Sequence, residues 1–224
     1  MLGEGEGSFT QLQNDISGQT EVTLTRNYTY IDSDSGLEGG ITLSGNIKIT
    51  GNNVVIDASH KARIFNIASG ATVTLQGITF INANSDGNGG AIATQGILNV
   101  DNCKFIDNTA SKGGAIAFEV GSSNCTIKNS EFNNNFAAGD GGAINIAKNS
   151  HVSYIQDSVF NNDSAGDDGG AINWEGDSGV IKNITCYNCT GVAGIDPSDN
   201  KQSTSKGGTI CLTGNNITVT GSRF

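Results

Sequence analysis

Apolar residues recur along this chain in columns. Phe80, Phe105, Phe132 and Phe160 mark one slot, Cys186 takes it next, and Phe224 ends the series. Five residues upstream of each lie Leu75, Val100, Ile127, Ile155, Ile181 and Val219. Seven upstream runs a looser column of Val73, Leu98, Cys125, Ser153, Gly179 and Ile217. A second marker is Gly-Gly, a small residue and Ile, starting at Gly89, Gly113, Gly141, Gly169 and Gly207, with steps of 24, 28, 28 and 38 residues. Ile92, Ile116, Ile144, Ile172 and Ile210 belong to it, and Thr94, Phe118, Ile146, Trp174 and Leu212 lie two further on. Within each short segment the apolar positions alternate, which is the period of a half-buried strand. Self-similarity every 25 to 28 residues marks a solenoid.

The pattern predicts an all-β chain folded as a single right-handed parallel β-helix. Each rung carries three short strands, and strands of successive rungs stack about 4.8 Å apart in parallel sheets. Val22 and Leu24, Ile41 and Leu43, Ile47 and Ile49, and Phe65 and Ile67 continue the columns backward less regularly, for seven to eight rungs in all. Turn residues align as well: Asn82, Asp107, Asn134, Asn162 and Asn188 follow the Phe slot, and Asn102, Asn129, Asp157 and Asn183 precede it. Stacked Asn side chains bond backbone at a bend, and Gly-Gly suits a turn that needs positive φ.

Open solenoid ends need covering. Phe9, Leu12 and Ile16 share one face of a short helical pattern that Ser8 or Thr10 can cap, so residues 8–20 are expected to form a lid. Residues 1–7 read as a linker. Residues 21–224 read as the β-helix, continuing beyond 224 in a longer parent protein.

Composition narrows the function. There are 32 Gly but one Pro, which suits many strands joined by tight turns, and 36% of residues are hydrophobic, too many for a disordered chain. The formal charge of −10 argues against nucleic acid or an anionic membrane surface as partner, since both reward Lys and Arg. No run of about 20 apolar residues exists, so no membrane insertion is expected in this segment.

Two sets of residues carry a resemblance. Gly-Gly-Ala-Ile together with Phe-x-x-Asn, as in Phe105 to Asn108 and Phe132 to Asn135, resembles the repeat of chlamydial polymorphic membrane proteins. Phe160 to Asp163 is a degenerate form, and the next rung departs with Cys186-Tyr187-Asn188-Cys189. The opening Phe9-Thr10-Gln11-Leu12-Gln13, the stretch from Ile47 to Asp57, and Ala62-Arg63-Ile64-Phe65-Asn66-Ile67 resemble adhesin-like surface proteins of methanogenic archaea. The likeness runs from about Ser8 to the end. It implies a cell-surface or secreted multi-repeat protein that contacts other cells or the environment, with a glycan or protein of another cell as the expected partner of a non-catalytic module.

The alternative is a carbohydrate-active β-helix enzyme, a polysaccharide lyase or hydrolase, because pectate lyases and polygalacturonases use this fold. Such chemistry needs carboxylates converging on an exposed face. Alternation puts no acid on the outward side of the third strands, where Ala93, Ala117, Asn145, Asn173 and Cys211 fall, and Asp101 stacks near Lys128 as a surface ion pair. Acids collect instead in the loops before Gly-Gly: Asp86, Asp107, Asp140, Asp163, Asp167 and Asp168. They read as solvated turn residues, or as a weak Ca²⁺ signal, since calcium prefers such oxygen ligands. No other cofactor is indicated.

The same loops share one edge of the solenoid: 31–38, 57–63, 81–88, 106–112, 133–140, 161–168 and 187–206. Loop insertions on one face of a solenoid carry specificity. The longest holds the single Pro, so Asp167, Asp168, Tyr187, Asp196, Pro197, Asp199 and Lys201 are the expected binding residues. Tyr154 is expected to project outward. Cys103, Cys125 and Cys186 fall in inward slots and read as small core hydrophobes.

Overall fold

The structure is a computed structural model, and it describes residues 3, 5–191 and 208–224. The chain is a parallel β-solenoid of about six turns with a single short helix. The rung that opens with the strand Gly179–Lys182 runs through 192–207, outside the described residues, and Ile217–Thr220 opens the next. The expected seven to eight rungs therefore appear as about six full turns plus these incomplete ones.

The sequence columns are physical stacks. Phe105 pairs in register with Phe80 on one side and Phe132 on the other, and Phe132 pairs with Phe160. Their rings stack face to face with centroids 4.9, 4.9 and 4.7 Å apart, the spacing of the strands that hold them. Third strands form a seven-stranded sheet from Ile41–Leu43 through Phe65–Ile67, Ile92–Thr94, Ile116–Phe118, Ile144–Ile146 and Ile172–Trp174 to Ile210–Leu212. First and second strands join in one 14-stranded sheet, because Ile47–Asp57 and Thr72–Ile81 run unbroken through the bend between them.

Four details depart from the sequence expectation. A two-residue fourth strand appears in later rungs, and Thr109–Ala110, Phe136–Ala137, Ser164–Ala165 and Thr190–Gly191 form a sheet of their own. Ser153 does not occupy the Cys125 column: the register shifts there and Val152 pairs with Cys125, putting an apolar side chain inside. The outward positions of the later third strands, Ala93, Ala117, Asn145, Asn173 and Cys211, are buried, while Thr42 and Asn66 in the first two are exposed. The Gly-Gly turns lie against those strands; a Cβ on Gly141 would stand 2.2 Å from the Ile144 carbonyl oxygen. Finally, Gly7 is no linker residue. Gly7–Ser8 pairs with Tyr28–Thr29, and a Cβ at Gly7 would strike the Tyr28 ring at 2.7 Å.

The lid forms as expected, over Phe9–Ile16 (helix α1), with Phe9, Leu12 and Ile16 buried. The Ser8 hydroxyl accepts from the Gln11 N–H, and the Gln11 side chain accepts from the Ser8 N–H at 2.9 Å, closing a capping box. Asp34 anchors the helix from the rung below. Its carboxylate accepts from the N–H groups of Phe9, Thr10 and Ile31 and from the Thr10 hydroxyl, at 2.7 to 3.1 Å.

Candidate functional site

The loop edge is built by a backbone ladder. The N–H groups of Gly89, Gly113 and Gly141 donate to the carbonyls of Lys112, Asp140 and Asp168, each one rung on, at 2.8 to 2.9 Å. This stacks the residues that precede Gly-Gly, namely Asn88, Lys112, Asp140 and Asp168, in one line along the axis. Parallel strands in register leave no choice: equal offsets from the Gly marker become neighbours in space.

Along the line one cation, Lys112, is followed by two acids, Asp140 and Asp168. Lys112 Nζ lies 2.5 Å from Asp140 Oδ2, and the Asp140 side chain is the more buried partner. Burial lowers the Lys112 pKa, but the bond and charge of Asp140 outweigh it, and the ammonium ends above its ordinary value. The other Asp140 oxygen accepts from the Asp168 N–H at 3.3 Å. Carboxylate oxygens of Asp140, Asp167 and Asp168 all lie within 4.8 Å of one another, and all three residues are half-buried. Among the described residues, this is the one group of three or more acid, His or Cys side chains placed to share a metal ion. Calcium takes six to eight oxygen ligands, so these carboxylates would supply part of a shell. Three acids gathered in a loop are common without a metal.

Arg63 organises the opposite end of the edge. Its guanidinium donates to the carbonyls of Gly39, Asn88 and Gly89 and to the Ser85 hydroxyl, at 2.7 to 3.2 Å, tying together loops of three rungs. Burial pushes its pKa below the ordinary value, with Glu119 acting the other way. Five donors in a rigid fork suit this bridging.

The expected binding residues divide into three groups. Asp167 and Asp168 come together with Asp140. Tyr187 ends the strand Thr185–Tyr187, in register with Asn161, and stands 57% exposed at the start of the next loop. Asp196, Pro197, Asp199 and Lys201 lie outside the described residues. Tyr154 is half-buried in the outward column between Thr126 and Val180.

Asp163 is a correction: it is not a solvated turn residue but is fully buried. It belongs to an inward ladder with Asn108 and Asn135. Asn108 Nδ2 donates to the Asn135 Oδ1 at 2.9 Å, and Asn135 Nδ2 donates to Asp163 Oδ1 at 2.8 Å. Asp163 Oδ2 has no hydrogen-bond partner, and burial pushes the carboxyl up to about 7. The signal for this was the third residue after the Phe slot. The signal for Lys112 was its place before Gly-Gly, where the next two rungs carry Asp.

Cys103, Cys125, Cys186 and Cys189 are free thiols, and all five cysteines are buried. Burial pushes Cys103 up to about 12 and Cys125 up to about 11, so both are protonated packing groups at neutral pH. Cys186 is also raised, first by its hydrogen bond with Cys189 and then by burial.

On the outer strand faces, two acids stand beside a Lys. Asp101 pairs with Lys128 at 3.4 Å, and Glu131 with Lys104 at 2.9 Å. No protein-family model matches the chain, and neither a curated protein nor a solved structure matches it.

Proposed function

We propose that the chain is a non-catalytic, cell-surface or secreted adhesin-like module. It contacts a glycan or protein of another cell through the loops on one edge of the solenoid. The observation that carries this reading is the contrast between the faces. The loop edge concentrates carboxylate oxygens of Asp140, Asp167 and Asp168 within 4.8 Å of one another, and Tyr187 stands exposed at the start of the last loop. The sheet faces hold third-strand outward positions that carry no acid and are buried from Ala93 onward, and acids such as Asp101 and Glu131 already paired with Lys. A glycosidase or lyase needs two acidic groups, or an acid and a base, open to a substrate between them. The sequence likeness to archaeal adhesin-like proteins and to chlamydial surface repeats points the same way. No helix is long and apolar enough to cross a membrane.

The test uses the full chain on a glycan array and on whole cells, beside a variant with 187–206 replaced by a short Gly-Ser linker and a D167N/D168N variant. Loss of binding in both variants, with unchanged far-UV circular dichroism, supports the reading. Undiminished binding in both overturns the site. Turnover of any member of a polysaccharide panel, removed by neutralising a single acid, overturns the non-catalytic reading in favour of a carbohydrate-active enzyme.

A further inference from the structure

At the start of the solenoid the two large sheets are finished differently. The 14-stranded sheet is extended there at Tyr28–Thr29, where Gly7–Ser8 pairs with it and leads into α1 with Phe9, Leu12 and Ile16 buried, while its other first strand, Glu21–Leu24, pairs only with Ile47–Asp57. The seven-stranded sheet ends on Ile41–Leu43, and among the described residues no strand pairs with its outer side.

The register says which groups are left there. The Ile41 N–H donates to the Ile64 carbonyl, and the Leu43 carbonyl accepts from the Ala68 N–H, so residues 41 and 43 turn their backbone groups toward the next rung. Neighbouring residues of a strand in a parallel ladder point their backbone groups to opposite sides. Thr42 therefore presents both its N–H and its carbonyl toward the lid. A cavity of about 430 Å³ lies on that side, between Ile41–Leu43 and the end of the lid at Gln13, Ile16 and the turn 17–20. No charged side chain lines it.

We propose that this cavity is a strand-addition site for a peptide: it takes an extended, uncharged polypeptide segment that pairs in parallel with Ile41–Leu43. A donor and an acceptor presented by one residue match the backbone of an extended chain, which offers the same pair on alternate residues. The cavity is the next position in a stack of seven strands already paired in parallel, so the added segment continues an existing ladder. The uncharged lining disfavours anions, lipid headgroups and charged peptides. Stacking of a second copy's whole rung is blocked, because α1 and Gly7–Ser8 occupy the neighbouring sheet edge. A single segment enters where a rung does not. The site stands apart from the loop edge, and either can fail without the other.

The probe is a capped hexapeptide copying residues 64–69, Ile-Phe-Asn-Ile-Ala-Ser, which spans the strand that pairs with Ile41–Leu43 on its inner side. Amide hydrogen exchange of the full chain is followed with and without it. The expected result is about fivefold or more slowing at the Thr42 amide. The same peptide N-methylated on alternate residues is expected to give no slowing. Thr42→Pro removes the presented donor without touching a sheet bond, and is expected to fold and to lose peptide binding by fluorescence anisotropy. Unchanged exchange at Thr42, equal protection by the N-methylated peptide, or equal protection by a neutral oligosaccharide such as cellohexaose each overturns the proposal. Should Thr42→Pro fail to fold, the two peptides on the unaltered chain still decide it.

Discussion

Asn135 gives both of its donors, the backbone N–H and the side-chain amide, to a single oxygen of Asp163, each at 2.8 Å. The partner oxygen, Oδ2, has nothing to accept from. In the rungs above, the atom in that place is an amide nitrogen: Asn108 Nδ2 donates to the Phe80 carbonyl at 3.2 Å, and Asn135 Nδ2 to the Phe105 carbonyl at 3.1 Å. The column calls for a donor, and Asp163 supplies one only when protonated. Burial accordingly pushes its pKa up to about 7, against about 3.9 in the unfolded chain. The folded state holds a proton that the unfolded state releases, so this group's contribution to stability falls as pH rises from about 4 to about 7 and then levels off. Asp163→Asn is expected to remove that fall. In urea titrations the variant should be more stable than the parent at pH 8, by on the order of a few kcal/mol, and nearly equal to it at pH 4. Lower stability of the variant at pH 8 would contradict the ladder reading.

Asp34 has the opposite sign. Burial alone would raise its pKa, but its hydrogen bonds to Ile31, Thr10 and Phe9 outweigh that, and the carboxyl lies below its usual value. Its stabilisation is present above the unfolded pKa and is lost as pH falls through the lowered folded value. Asp34→Ala is expected to cost about 2–3 kcal/mol at pH 7 by leaving the Phe9 and Thr10 N–H groups without their acceptor. Hydrogen exchange at Leu12 should accelerate first, because the lid opens before the rungs do.

Phe132 sits in the middle of the aromatic stack, with Phe105 and Phe160 rings at 4.9 and 4.7 Å. Phe132→Ala is expected to lower stability by about 3–5 kcal/mol in urea unfolding. Because rungs contact only their neighbours, amide protection should drop most in the strands Lys104–Ile106 and Val159–Asn161. An even loss along the whole solenoid would count against this.

Two glycines separate backbone strain from close approach. Gly18 has φ +72° and open space where a Cβ would go. Gly141 has φ +68° with the Ile144 carbonyl 2.2 Å from that Cβ. Gly18→Ala should cost about 1 kcal/mol, the price of the left-handed backbone alone. Gly141→Ala should cost clearly more, since the turn must leave the strand beneath it. Thermal melts of the two variants side by side test the difference.

The repeat was legible because its steps are nearly equal. Phe80, Phe105, Phe132 and Phe160 are 25 to 28 residues apart, and equal steps in a solenoid become contacts. Where the step changes by a residue, the reading slipped. Counting from the Phe slot puts Ser153 in the column of Cys125, while the strand bulges and puts Val152 there. The loop line was half legible. The acids before Gly-Gly stand out by type, but Lys112 in the same slot differs in type, and only the fold puts its ammonium on Asp140.

The sequence by itself determined the architecture, the inward columns and the lid, since periodicity in a stacked fold is a direct record of which residues touch. It also marked the edge on which the loops collect. Only the tertiary structure decided which polar residues are buried and what they meet. Asp163 and Asp167 are four residues apart, and both looked like turn acids. One is sealed against Asn135 inside the solenoid and the other joins Asp140 at its rim. That difference depends on which side of the bend each side chain leaves the backbone. Alternation does not carry through a bend where Asn162 has φ +55°. The bare edge at Thr42 was invisible for a related reason: an unpaired backbone group has no side-chain signature, and which strand edges meet a partner is decided only when the rungs stack.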